Sequence, residues 1–220
     1  MNFFVTGSDT EVGKTYTTAL LLRNLRNRNI DVVGMKPIET GEGTDAQCLH
    51  DAMEGCVALQ TISPVRLSAA LAPATAAEQE GKIICTEKIF ASYRQLSAQH
   101  ALVLVEGAGG WRVPIASGYD MADLAVDLSK IAPLQVIVVA LNRLGVINHT
   151  LLTLESICAR GLVCAGFILN QGTCPVSYPS ISSNAQWITH GSDVPFWFEV
   201  NTGQTILPEA VFQDVVLRYL

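Results

Sequence analysis

The sequence predicts an α/β fold, a single-domain parallel β-sheet with helices on both faces. Three observations carry that prediction. Short apolar, β-rich runs alternate with helical stretches along the 220 residues. Two of those runs, Ala101-Leu-Val-Leu-Val105 and Val136-Ile-Val-Val-Ala140, are apolar throughout, as strands covered on both faces must be. The first run, Phe3-Phe4-Val5, leads into a glycine-bearing turn that closes on Gly13-Lys14-Thr15.

In chain order the pattern predicts strand 2–6, helix 15–27 on the helix-forming run Tyr16 to Asn27, strand 31–36 and a helix near 45–54 that Asp45 opens. A helix near 86–99, strand 101–105, a helix near 121–130 and strand 134–141 follow. Helix 147–160, with Asn148 as its N-cap, strand 163–169 and a last helix near 207–219 complete the series. Residues 171–206 mix Ser, Pro, Gly and aromatics, and predict irregular structure with one helix at 181–190. No repeat, low-complexity tract or charge block divides the chain, so one domain is expected over 1–220.

Composition narrows the function. A 49% hydrophobic content with 15% charged residues supplies a large core. A formal charge of -6 without Lys/Arg-rich runs excludes a nucleic-acid groove, which needs clustered positive charge. The longest apolar runs, 134–141 and 162–169, are far shorter than the roughly 20 residues of a membrane helix, so no membrane partner is expected. Without a charged n-region or apolar h-region at the start, the expected location is cytoplasmic. The six cysteines form no C-x-x-C pair and read as thiols.

Residues 7–15, Gly-Ser-Asp-Thr-Glu-Val-Gly-Lys-Thr, lie between a strand and a helix. Such a turn aims backbone N–H groups and a helix start at one spot, which suits a polyphosphate. Lys14 then reaches the β- and γ-phosphates and Thr15 offers its hydroxyl to Mg²⁺. The usual phosphate loop (P-loop) has four residues between its glycines, whereas Gly7 and Gly13 have five between them. Strand 101–105 delivers Glu106-Gly107-Ala108-Gly109-Gly110, a carboxylate where a second oxygen ligand for the metal is expected, then residues small enough for phosphate to approach. Strand 31–36 ends in Lys36-Pro37-Ile38-Glu39-Thr40-Gly41, with Asp45 just beyond. Lys36 is placed to offset charge on a transferring phosphoryl group, and Asp45 to join Glu106 at the metal.

These segments, with Thr44-Asp45-Ala46, Trp111 after the glycines and Leu144-Gly145-Val146-Ile147-Asn148-His149, stand in the order and at roughly the spacing of dethiobiotin synthetase. The resemblance spans residues 1 to about 170 and implies a P-loop NTPase-like scaffold. It also implies an ATP- and Mg²⁺-dependent cyclo-ligase that converts 7,8-diaminopelargonic acid and CO2 to dethiobiotin in biotin biosynthesis. Carried over by position, Lys14, Lys36 and Thr10 match catalytic residues, and Thr15, Asp45 and Glu106 match magnesium ligands. Glu11, Val12, Gly13, Lys14, Thr15 and Tyr16, with Gly107, Ala108 and Gly109, match the nucleotide site. Thr40 and Asn148 match substrate contacts, Asn148 from a neighbouring subunit, so a homodimer is implied. Asn170, Gln171, Pro195 and Glu199 match the adenine side less closely, because Gln171 stands where an aspartate is usual.

Two other readings use the same scaffold. A related amide-forming ligase generally carries an added glutaminase domain, for which 220 residues leave no room. A regulatory or partitioning ATPase is the other. A guanine-reading switch needs Asn-Lys-x-Asp after its strand, whereas the chain reads Asn142-Arg143-Leu144-Gly145, and a partitioning ATPase needs an extra lysine within residues 7–12, where none occurs.

Overall fold

The computed structural model describes residues 1–172 and 181–213. Strand β1 (Asn2–Gly7) is buried throughout and feeds the loop that opens α1 (Lys14–Arg26). Then come β2 (Val32–Met35), β3 (Ile38–Thr40), α2 (Thr44–Ala52), α3 (Leu59–Ile62), β4 (Val65–Leu67), α4 (Pro73–Gln79), α5 (Thr86–Gln99) and β5 (Leu102–Glu106). The remainder is β6 (Pro114–Ala116), β7 (Tyr119–Asp120), α6 (Met121–Ile131), β8 (Leu134–Leu141), α7 (Val146–Ala159), β9 (Cys164–Asn170), α8 (Ile181–Ser192), β10 (Phe196–Val200) and α9 (Glu209–Val211).

Six strands form one sheet in the order β10-β9-β8-β1-β5-β2, and every pairing is parallel. From β1 the chain crosses toward β2, while from β5 and from β8 it steps the other way. Right-handed crossovers put α1 on one face and α5 to α8 on the other, and α2, although it follows β2, packs against α1. The direction reverses between β1 and β8, and a crevice opens at their carboxyl ends, where ligands bind in such sheets. The core is continuous across both faces. Phe4 meets Trp111 edge-on at 6.1 Å on one side, and Phe3 meets Trp197 at 5.9 Å on the other.

The apolar central strands lie where their sequence predicts. The differences fall in short or peripheral elements. The ribbons β3–β4 and β6–β7 have strands of two or three residues, too short to show a period, and α4 starts on a proline. Edge strand β10 lies within the stretch read as irregular; it carries a register shift between Phe196 and Phe198, which breaks its alternation. Helix α7 starts on Gly145 at φ 93°, so Asn148 is not its N-cap but its third helical residue, and α2 starts on Gly43 rather than Asp45. Of the helix expected near 207–219, Glu209–Val211 is helical, and 214–219 lie outside the described residues, as does Cys174.

Gly166 in β9 lets the Trp197 indole lie flat on the sheet, where a Cβ would stand 2.0 Å from its Nε1. The indole is also tied down, because that Nε1 donates to the Ala165 carbonyl at 2.9 Å. Gly166→Ala is expected to lower the unfolding free energy by about 2 kcal/mol through overpacking, read as a lower urea midpoint at constant slope. An unchanged midpoint would show that the indole has room to move.

Candidate active site

The phosphate loop is held from behind and from the side. Val12 packs with Val5 and Val139 beneath it. Asn170, the last residue of β9, donates its Nδ2 to the Val12 carbonyl at 3.0 Å and accepts the Gly172 N–H at 3.1 Å. Gly13 caps α1 at φ 87°, and a Cβ there would lie 1.9 Å from Asn170 Nδ2. At Gly7 a Cβ would lie 2.5 Å from the Asp9 carbonyl oxygen. Both glycines are thus demanded by close approach. Lys14, the first residue of α1, is 7% exposed, and its Nζ donates to the Asp9 carbonyl at 3.5 Å. Burial draws its pKa down to about 8, with Glu106 pulling the other way.

Beside the loop, Lys36 is buried with its Nζ 2.6 Å from Asp45 Oδ2 and 2.7 Å from Glu106 Oε1. The Gly107 carbonyl stands 3.5 Å away. Burial pulls the Lys36 ammonium down, but Glu106 and Asp45 outweigh it and hold its pKa above the ordinary lysine value. Asp45 is the mirror case: burial pushes its carboxyl up and Lys36 more than reverses the push. Thr15 donates its hydroxyl to the same Glu106 Oε1 at 2.7 Å. The cluster joins the ends of β2 and β5 to the first turns of α1 and α2. A cavity of about 270 Å³ lies over it, walled also by Glu11, at φ 56°, and by Gly109, at φ 65°, with Ala108 buried behind.

Thr15, Asp45 and Glu106 make a fitting donor set for magnesium. They are hard oxygen ligands, and Glu106 Oε2 is fully buried with no hydrogen-bond partner among the described residues, an acceptor that a cation would satisfy. Among the described residues no group of three or more His, Cys, Asp or Glu is arranged to hold a metal. Two carboxylates and a hydroxyl suit an ion that arrives on phosphates and keeps several waters.

A second cavity of about 380 Å³ continues along the sheet edge, lined by Glu11, Gly13, Tyr16, Leu141, Asn170, Gly172, Thr202 and Gly203. It lies at the carboxyl ends of β8, β9 and β10, beside the first turn of α1. Tyr16 bridges it by donating its hydroxyl to the Gln204 carbonyl. Asn170 is here, and its amide also ties the loop to Gly172 through one N–H and one oxygen lone pair. Gln171 is half-buried, with its N–H on the Val200 carbonyl at 2.9 Å. Pro195 and Glu199 need correction. Pro195 precedes β10 and so sits at the amino edge, the far side of the sheet from the crevice. Glu199 is bonded to Asn142 Nδ2 at 2.7 Å and does not line the cavity. The wall comes instead from Thr202 and Gly203, which follow β10; the glycine was the only signal in the sequence.

A third cavity, about 440 Å³, runs from Ser8, Asp9 and Thr10 past Trp111, Arg112 and Val113 to His149 and Leu152 of α7. Thr10 is exposed at its mouth, its N–H on Asp9 Oδ1 at 2.8 Å. Thr40 ends β3 half-buried, and Asn148 is exposed on the first turn of α7; neither lines this groove.

An all-parallel sheet with a lysine-bearing phosphate loop at its switch point, faced by a hydroxyl and two carboxylates, defines a P-loop nucleotide-binding protein. A family model described as an AAA domain matches residues 1–203. The chain is 39% identical to the ATP-dependent dethiobiotin synthetase BioD of Akkermansia muciniphila, over 100% of this chain and 99% of that one. It is 45% identical to the synthetase of the same name from an Anaeromyxobacter species, over 82% and 81% of the two chains, and 37% identical to that of Xylella fastidiosa, over 89% and 88%. The chain belongs to the dethiobiotin synthetase family. Its fold is also that of the signal recognition particle receptor FtsY from Elizabethkingia anophelis (TM-score 0.60, 15% identity, 97% of this chain and 64% of that one). The septum site-determining protein MinD of Pyrococcus horikoshii, solved with Mg-ADP, is similar too (TM-score 0.56, 16% identity, 91% and 82%).

The lowered pKa of Lys14 has a sign that can be measured. Without ligand, folded Lys14 loses its proton near pH 8, while the unfolded chain keeps it to the ordinary lysine value of 10.5. The burial penalty is therefore complete below pH 8, and stability rises with pH between the two values. A polyphosphate beside Nζ favours the ammonium, so ADP binding at about pH 8.5 is expected to take up protons, seen as a calorimetric enthalpy that changes with the buffer. An enthalpy independent of buffer would contradict this.

Proposed function

We propose that the chain catalyses the ATP- and magnesium-dependent closure of 7,8-diaminopelargonic acid and CO2 to dethiobiotin, with release of ADP and phosphate. The observation that carries the reading is Lys36, an ammonium sequestered between Asp45 and Glu106 within the wall of the phosphate cavity. One amine adds to CO2 and loses a proton to give a carbamate. A carbamate oxygen attacks the γ-phosphorus and ADP leaves; the second amine then attacks the carbamoyl carbon and expels phosphate. The carbamate is an anion already, so phosphoryl transfer needs no general base. Lys14 binds the β- and γ-phosphates, and Lys36 offsets charge gathering on the transferring group. Thr15, Asp45 and Glu106 would hold magnesium, which would supply further charge neutralisation. Thr10 and Thr40 offer hydroxyls to the diamine or its carbamate.

For the carboxylate end, the reading assigns Asn148 and the N-terminal turn of α7 of a second copy. In support, Asn148 is exposed and α7 carries Leu152 at 57% exposure, with Leu144 at 74% just before it, an apolar edge suited to another chain. The switch-type ATPase reading is not favoured: its fold is shared at 14–16% identity by FtsY and MinD alike, whereas synthetases match at 37–45%.

The test is ADP release with and without diamine and bicarbonate, with the product identified by mass. Release is expected to depend on both, and nucleotide hydrolysis at the same rate without diamine would overturn the reading. Lys36→Ala is expected to lower turnover by on the order of 100-fold or more while ATP still binds through the loop. Parent-like turnover would remove Lys36 from its role.

A further inference from the structure

Glu39 belongs to the segment that carries Lys36, yet none of the chemistry above uses it. Its side chain is buried, 2% exposed, in the middle of β3. Helix α2 begins on Gly43, at φ 80°, which has no side chain with which to cap the helix. The acceptor comes instead from outside the helix. Glu39 Oε1 accepts the Asp45 N–H at 2.8 Å and the Ala46 N–H at 3.0 Å, two of the donors that a helix start leaves without an internal partner. Arg66 of β4 closes the arrangement, 3.7 Å from Glu39 Oε2 and 3.5 Å from the Gly43 carbonyl. A Cβ on Gly43 would stand 2.0 Å from that guanidinium, so glycine is the residue that fits.

A serine or aspartate at the N-cap would satisfy the same N–H groups without burying a carboxylate. What the buried one adds is position. It grips the backbone of the residue whose Oδ2 reaches Lys36 at 2.6 Å, and β3 ties that grip to the Lys36 segment itself.

We propose that Glu39 is a positioning residue of the phosphoryl-transfer site: it fixes the first turn of α2 so that Asp45 meets Lys36 and the magnesium position. The inference rests on the proposed function for the role of Asp45. Without Glu39, Asp45 loses its hold, Lys36 keeps Glu106 alone, and metal binding and turnover fall together.

The test is Mn²⁺ binding to the ADP-loaded protein, followed by the loss of free-ion paramagnetic signal, alongside kcat and urea unfolding. Glu39→Ala is expected to weaken Mn²⁺ by on the order of tenfold and to lower kcat at least as much, with KM for ATP little changed. Glu39→Gln retains a carbonyl oxygen at the same reach and is expected to restore most of both. Glu39→Asp, one methylene short, is expected to behave like Glu39→Ala and carries the test if Glu39→Ala does not fold. Variants that lose stability but keep parent Mn²⁺ affinity and kcat would overturn the proposal, as would Glu39→Gln failing as badly as Glu39→Ala. The Mn²⁺ measurement needs no diamine, so a parent protein that makes no dethiobiotin would sink the proposed function while Glu39 is still tested.

Discussion

A buried ammonium between two carboxylates is the constraint that organises this molecule. Lys36 cannot be charged inside a protein unless its partners arrive with it, because an unpaired buried charge costs several kcal/mol. Glu106 arrives through sheet register. Strands β2 and β5 pair with Met35 opposite Val105, so the next residues of each, Lys36 and Glu106, emerge side by side. A slip of one residue would turn Glu106 to the opposite face and strand both charges. Asp45 arrives by a different route, through the cap that Glu39 places on α2. Thr15 arrives from the phosphate loop, and β5 is hydrogen-bonded between β1 and β2, so its Glu106 joins the loop lysine's strand to that of Lys36.

How legible the structure was in the sequence depended on whether the relevant residues are contiguous. Strands such as Val136–Ala140 declare themselves because both faces are covered and every position is apolar. The phosphate loop declares itself because one short peptide supplies the backbone, the lysine and the hydroxyl. Glu39 was in view within the Lys36 segment but had no visible task, since its partners, Asp45 and Ala46, are brought to it by the fold of α2. The second cavity was the hardest part. The resemblance pointed to Pro195 and Glu199, but Glu199 is tied to Asn142, and Pro195 lies at the amino end of β10, whereas only the carboxyl end of a parallel strand faces the crevice. Thr202 and Gly203, just past β10, are at that end. Asn170 lines the cavity, and its hydrogen bond to Val12 has no local sequence signature, because the partner is far away in sequence.

The same scaffold accommodates proteins as different as FtsY and MinD, so the sheet and its loop do not choose the reaction. At the carboxyl edges this chain carries Lys36 with two carboxylate partners, and a groove of about 440 Å³ running from Thr10 along Trp111 to α7. In the proposed reaction the first would offset charge developing on a phosphoryl group, and the second would take the substrate beside it.

The most direct measurement of that central interaction is a double-mutant cycle on Lys36 and Glu106 by urea unfolding of the ligand-free protein. Lys36→Met and Glu106→Gln each leave a buried charge without its main partner and are each expected to cost about 3 kcal/mol or more. The double variant removes both charges and is expected to be more stable than the sum of the two losses by about 2 kcal/mol or more. Losses that add to within about 0.5 kcal/mol would show that the two groups do not depend on each other, and would contradict the account.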